Sequence, residues 1–375
     1  MIINFDNAAT TFPKPVEVRK AVEQAVLSMA NSGRGGHPLA ARTSEAVYSA
    51  RETAAEFFGA EPENVVFAMN CTHALNMAIQ GVMSGGGHLI ISGSEHNSAA
   101  RPAAALADSG KISLSVARVY PEDHRTVESF RELIRNDTKA IVCTAASNVT
   151  GQILPISDIA ELCRSRNIAL IVDGAQACGI IDLKLSQGIN ILCTAGHKGL
   201  YGITGTGLLI SDGKFPITPI MQGGTGNSSH SLRQPSLLPE ALESGTVGVI
   251  GIMSVKAGIE FVKKLGLNRI YDHEERICRK FINRLKNNRN IIIYRDPAAA
   301  YVPIVSFNVK GLNPERTAAI LAKEGFCLRA GFHCSALAHT QLGTTEGTVR
   351  FSPSVFSREE DAVRLADIIT DLAGK

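Results

Sequence analysis

The stretch IALIVDGAQACGIIDLKLSQGINILCTAGHKGLYGITGTGLLIS (168–211) decides the architecture. Within it, IALIVD (168–173), NILCT (190–194) and TGLLIS (206–211) are short apolar runs, the first two followed at once by glycine, alanine and polar groups. Runs without an inside–outside alternation belong to strands buried on both faces, as in a parallel sheet covered by helices. Working outward, VVFA (65–68), HLIIS (88–92) and KAIVCTA (139–145) read as further strands. Helical patterns near 72–83, 98–110, 126–136 and 157–166 separate them. The expectation is an α/β chain with a mainly parallel sheet, in which ligands bind beyond the carboxyl ends of the strands.

Beyond this region, residues 250–285 read as long helices, followed by strands at 291–294, 303–309 and 326–329 and helices near 314–324 and 358–372. That order predicts a smaller α+β domain. The division expected is a large domain over 15–250 and a small one formed by 1–14 with 251–375. The 375 residues are 45% hydrophobic and 19% charged, a globular composition. A net charge of +3 with no basic block gives no reason to expect nucleic acid. No apolar run is long enough to cross a membrane, and the opening MIINFDNAATTFPKP does not read as a signal peptide. Eight cysteines without a CxxC pair point to reduced thiols and a cytoplasmic location.

The rim residues carry the chemistry. Asp173 closes one strand, and His197 and Lys198 follow the next. Either charged group alone reads as well as a helix cap, a loop ion pair or a solvated amine. Together they suit an aldehyde-bearing pyridine cofactor, with the lysine forming a Schiff base and the carboxylate holding the ring nitrogen protonated. Thr72, after VVFA, either caps the helix it opens or meets a phosphate at that helix N-terminus. His96 either stacks on a planar ring or lies free in its loop, and Asn148 either bonds a ring oxygen or caps a turn. Neither G-x-x-x-x-G-K-[ST] nor G-x-G-x-x-G follows an expected strand, which argues against ATP and NAD. Arg350 is suited to clamp a carboxylate bidentately. Cys334 is either a nucleophile or an inert thiol. No metal site is expected, because His333, Cys334 and His339 match no structural-zinc spacing.

The segments DNAATTFPKP, RGGH (34–37), NCTHALN, EHN, SNVTG, VDGAQA, GHKGLYGITGTG, ESGT (243–246) and RAGFHCS occur in this order along the chain. With them the sequence resembles the cysteine desulfurases, a class V aminotransferase-like branch of the fold-type I pyridoxal phosphate enzymes. The short R-x-G-x-H-C loop is similar to the second group, which includes selenocysteine lyases. The resemblance implies a seven-stranded-type sheet and a homodimer. It makes Lys198 the Schiff-base lysine, Asp173 the partner of the ring nitrogen, and Gln176 and Asn148 neighbours of the ring oxygen. His96 would stack on the ring and assist proton transfer. Cys71, Thr72 and His197 would lie at the cofactor phosphate, and Thr246 would reach it across the dimer. Arg350, Arg329, Asn148, His37 and Ala8 would surround the substrate. Cys334 would take sulfur from L-cysteine as a persulfide, releasing L-alanine, and pass it to an acceptor protein, as in iron–sulfur cluster assembly. L-selenocysteine lyase, another β-lyase or an aminotransferase is the alternative. The family's phosphate-binding serine is here Ala195; either Thr194 or a neighbour compensates, or phosphate is held more loosely.

Overall fold

The computed structural model describes residues 2–33, 35–226 and 230–374. Arg34 of the RGGH segment lies outside the described residues. A short strand β1 (Ile3–Asn4) precedes helices α1 (Val16–Ser28) and α2 (Pro38–Phe58). Then come β2 (Val65–Ala68), α3 (Cys71–Val82), β3 (Gly87–Ser92), α4 (Asn97–Asp108), β4 (Ile112–Ala117), α5 (Asp123–Leu133) and β5 (Thr138–Thr144). The quoted stretch supplies β6 (Ala169–Asp173), after α6 (Ile156–Arg164), and then β7 (Ile191–Ala195) and β8 (Gly207–Ser211).

These strands form a seven-stranded sheet in the order β2-β8-β7-β6-β5-β3-β4. All pairs are parallel except those made by β8, which runs antiparallel to β2 and β7. Strands β6, β7 and β8 are buried at every residue, which accounts for their unbroken apolar runs. One strand of this sheet departs from the sequence expectation. The edge strand β4 escaped it because ISLSVA carries serines on a half-exposed face. The β6–β7 crossover contains no α-helix, only a single tight turn at Leu185–Gln187.

Helix α7 (Val249–Leu265) packs on α1 and α2, burying Ile252 and Met253 against Ala25, Val47 and Ala50. Gly266, at φ 85°, turns the chain into α8 (Leu267–Leu285). Helix α8 begins with Ile270 packed beside Tyr201 and beside Val262 of α7, and then enters a second core, where Ile277, Phe281 and Leu285 lie at helical spacing on its buried face. The remaining elements are β9 (Ile291–Ile293), β10 (Val305–Val309), α9 (Pro314–Lys323), β11 (Phe326–Cys327), β12 (Arg329–Gly331), α10 (Ala336–Leu342), β13 (Thr348–Phe351) and α11 (Glu359–Ala373). An antiparallel sheet β12-β13-β10-β9 carries this core. The N-terminal segment completes it: β1 pairs with β11, and the Phe5 ring packs 4.5 Å from that of Phe351. Among the described residues no helix is long and apolar enough to cross a membrane.

Candidate active site

Strands β3, β5, β6 and β7 run parallel and β2 runs with them, so the loops after all five emerge at one edge of the sheet. They deliver Cys71 and Thr72, His96, Asn148, Asp173, and His197 with Lys198. These residues line one cavity of about 220 Å³ together with Ala8, Gln176, Ala195, Arg329, His333, Cys334 and Arg350.

On the sheet side, Asp173 Oδ1 accepts the Ala175 N–H at 2.9 Å and the Cys71 thiol at 3.5 Å. Burial, and then the carboxylate itself, push the Cys71 thiol well above its ordinary range, so it stays a protonated donor. Burial pulls the Lys198 amine down while Asp173 opposes that shift, which favours a more nucleophilic lysine than one on the surface. The loops bearing the two residues press together. A Cβ on Gly179 would collide with the Gly199 carbonyl, and one on Gly199 with the Cys178 carbonyl. From the N-terminal segment, Thr10, Thr11 and Lys14 all donate to the His197 carbonyl.

Burial favours the neutral form of both histidines of this wall. Burial pushes His197 down to about 4 and also lowers His96. The Ser98 N–H donates to His96 Nδ1 at 3.0 Å, which caps α4 and leaves the ring proton on Nε2.

The opposite wall belongs to the second core. Arg350 is 2% exposed; its Nη1 donates to the Asn148 carbonyl at 2.8 Å and its Nη2 to Asp6 Oδ1 at 3.2 Å. His333 and Cys334 adopt φ values of 48° and 55°. Left-handed conformations in non-glycine residues cost roughly 1–3 kcal/mol each and persist only where surrounding contacts hold them. Those contacts are present. The Asn97 N–H donates to the Cys334 carbonyl at 2.7 Å, Asn148 Nδ2 to the His333 carbonyl at 2.7 Å, and the Ser335 hydroxyl to the Glu95 carbonyl at 2.9 Å. Cys334 itself is exposed.

Two expected residues lie elsewhere. The His37 imidazole caps α2, accepting the Ala40 N–H at 3.3 Å. Thr246 lines a separate hollow of about 710 Å³ with Arg51 and Glu243. Thr194 does not replace the missing serine, because its hydroxyl is buried against the Gly174 carbonyl. Two carboxyl groups went unread in the sequence. One is Asp6. The other is Glu95, fully buried next to His96, whose Oε1 accepts the Ser92 hydroxyl at 2.5 Å and the Thr144 N–H at 2.6 Å. Burial pushes Glu95 up to about 8, and its Oε2 has no partner among the described residues. A histidine loop following an all-apolar strand gave no signal that the adjacent acid points inward.

A half-buried lysine and a buried carboxylate on neighbouring strand ends, beside a helix N-terminus and facing an arginine, suit an enzyme that holds a cofactor on a lysine. The chain belongs to the aminotransferase class V family, whose model matches residues 3–365. It is 28% identical to a probable cysteine desulfurase of Methanothermobacter thermautotrophicus, over 98% of this chain and 94% of that protein. It is also 28% identical to one of Aeropyrum pernix, over 99% and 94%. Among solved structures it resembles a cysteine desulfurase from Thermococcus onnurineus, with TM-score 0.93 and 28% identity over 100% of this chain and 95% of that one.

The family implies pyridoxal phosphate, and the cavity fits it. Asn148 Oδ1, His197 Nδ1 and Arg350 Nε are buried without partners among the described residues, and all three side chains line the cavity. Buried polar atoms in that state call for a polar ligand. The N-terminus of α3, with Cys71 and Thr72 in its first turn, suits a phosphate.

Proposed function

We propose that the protein is a pyridoxal phosphate-dependent cysteine desulfurase that converts L-cysteine to L-alanine and leaves sulfur on Cys334. The observation carrying this reading is an exposed thiol held on a strained, hydrogen-bonded loop in the same cavity as Lys198, Asp173 and Arg350.

Lys198 would hold the cofactor, Asp173 would face its ring nitrogen, and Thr72 with the α3 N-terminus would meet its phosphate. When bound, the cofactor supplies an electron-withdrawing ring conjugated to the substrate's α-carbon. Arg350 orients the substrate carboxylate. Once displaced, the Lys198 amine takes the α-proton, a role favoured by the burial that lowers its basicity. His96 Nε2 supplies a neutral N–H for proton movement at the reacting end. The Cys334 sulfur attacks the substrate sulfur, so a carbon–sulfur bond breaks and a sulfur–sulfur bond forms. The β-carbon gains the proton lost by the thiol, which balances cysteine plus thiol against alanine plus persulfide. An acceptor thiol then removes the outer sulfur.

We also propose a homodimer in which the hollow beside Thr246 meets the partner's cavity, and a separate sulfur-acceptor protein. The absence of Thr246 from its own chain's cavity supports the first.

The test is mass spectrometry of Cys334 after brief exposure to L-cysteine. A gain of one sulfur, absent with L-alanine, is the expected result. Alanine release with Cys334 unmodified would assign sulfur acceptance to another thiol, and sulfide with pyruvate in place of alanine would assign the chemistry to direct β-elimination.

A further inference from the structure

Two arginines and one aspartate meet where the second core closes over the cavity. Arg329 and Arg350 are directly opposed across the β12–β13 ladder, so their side chains share a face of the sheet. Like charges so placed repel. Asp6, bridged to Ser352 from the N-terminal segment, reaches both, with Oδ1 3.2 Å from Arg350 Nη2 and Oδ2 3.3 Å from Arg329 Nε. Two guanidinium charges against one carboxylate leave a single net positive charge at this corner.

Arg350 is not exhausted by these contacts. Of the five N–H groups of a guanidinium, one goes to the Asn148 carbonyl and one to Asp6, while Nε has no partner among the described residues. Burial lowers the proton affinity of Arg350, and Asp6 is the foremost group opposing that shift. Arg329 is much more open, with 47% of its side chain exposed. Without Asp6 it would offer a second cation to any acidic group on a bound amino acid.

We propose that Asp6 is a specificity-determining residue: by cancelling one of the two guanidinium charges, it fits the corner to amino acids with a single carboxylate and disfavours those with a second acid in the side chain. The inference rests on the proposed carboxylate-binding role of Arg350. Aspartate and cysteine sulfinate are the disfavoured class; cysteine and alanine are the accepted one.

The experiment titrates cofactor-loaded wild type, Asp6→Asn, Arg329→Gln and the double variant with L-alanine and with L-aspartate, reading the visible absorbance change on binding. Asp6→Asn is expected to raise affinity for aspartate relative to alanine by about tenfold, the scale of one partly screened charge at this range. Arg329→Gln shifts the ratio the other way, and the double variant, with its net charge restored, returns toward wild type. Equal weakening of both ligands in Asp6→Asn would make Asp6 a mere support for Arg350 and overturn the proposal. Should Asp6→Asn not fold, an unchanged ratio in Arg329→Gln overturns it equally. Wild type that binds alanine but releases no sulfur from cysteine would sink the desulfurase reading and leave the role of Asp6 standing.

Discussion

The wall carrying Asp173 and Lys198 and the wall carrying Arg350 and Cys334 face each other across one cavity, yet they are held by different means. The first sits on ends of fully buried parallel strands, fixed by the sheet ladder and by glycine contacts between neighbouring loops. The second rests on a small antiparallel sheet and on a loop with two left-handed residues, kept in place by hydrogen bonds to the loops after β3 and β5. Under the proposed function the rigid wall would hold the cofactor, and the tied wall would present the carboxylate-binding arginine and the thiol. A scaffold makes precise sites most easily on regular elements.

Substitutions can break this division. The largest effect is expected for Lys198→Ala, which should remove the borohydride-reducible absorbance and lower turnover by about 1000-fold or more. Cys334→Ser should separate the walls: the visible absorbance stays while desulfuration falls by about 100-fold or more. Loss of the absorbance in Cys334→Ser would show that the walls are not independent.

Glu95, under the junction of the walls, gives a third test through pH. Its folded-state pKa of about 8 lies above its unfolded value. The folded chain therefore binds the extra proton, and stability present at low pH is lost as pH rises toward 8. Glu95→Gln should flatten that decline in the melting temperature between pH 5 and 9, with a difference on the order of a few kcal/mol at the alkaline end. A decline of unchanged slope would place the titrating group elsewhere, with Glu274, also pushed up to about 8 by burial, the next to replace. The smallest effect concerns the rigid wall alone. Ala195→Ser adds a hydroxyl where Ala195 lines the cavity, and should tighten cofactor binding about fivefold, the worth of one added hydrogen bond, read by equilibrium dialysis.

The same contrast explains what was legible in the sequence. The buried strands announce themselves as unbroken apolar runs, and the residues after them fall at the rim by topology, so Asp173, Lys198, His96 and Asn148 could be found from local pattern. Strand β4 was hidden because an edge strand tolerates Ser113 and Ser115. The partners of Arg350 were hidden for another reason: Asp6 is separated from it by 344 residues, and no local periodicity records such a contact. Glu95 looks like any loop acid until the fold buries it. Residues 250–285 read as long helices, but which core each serves was hidden: α7 packs on α1 and α2, while past Gly266 the far half of α8 enters the second core.

The segment from Ile3 to Lys14 is stitched to both walls, through β11, Ser352, Arg350 and the His197 carbonyl. A ribosome makes this segment more than three hundred residues before Phe326 and Ser352, its partners, exist. The large sheet can therefore form during synthesis, whereas the lysine turn receives its last braces only when the chain is almost finished. Acquisition of a tightly held cofactor is accordingly expected to be a late event in the life of each new molecule, and a bulky fusion placed ahead of Ile3 should slow it more than one placed after α11.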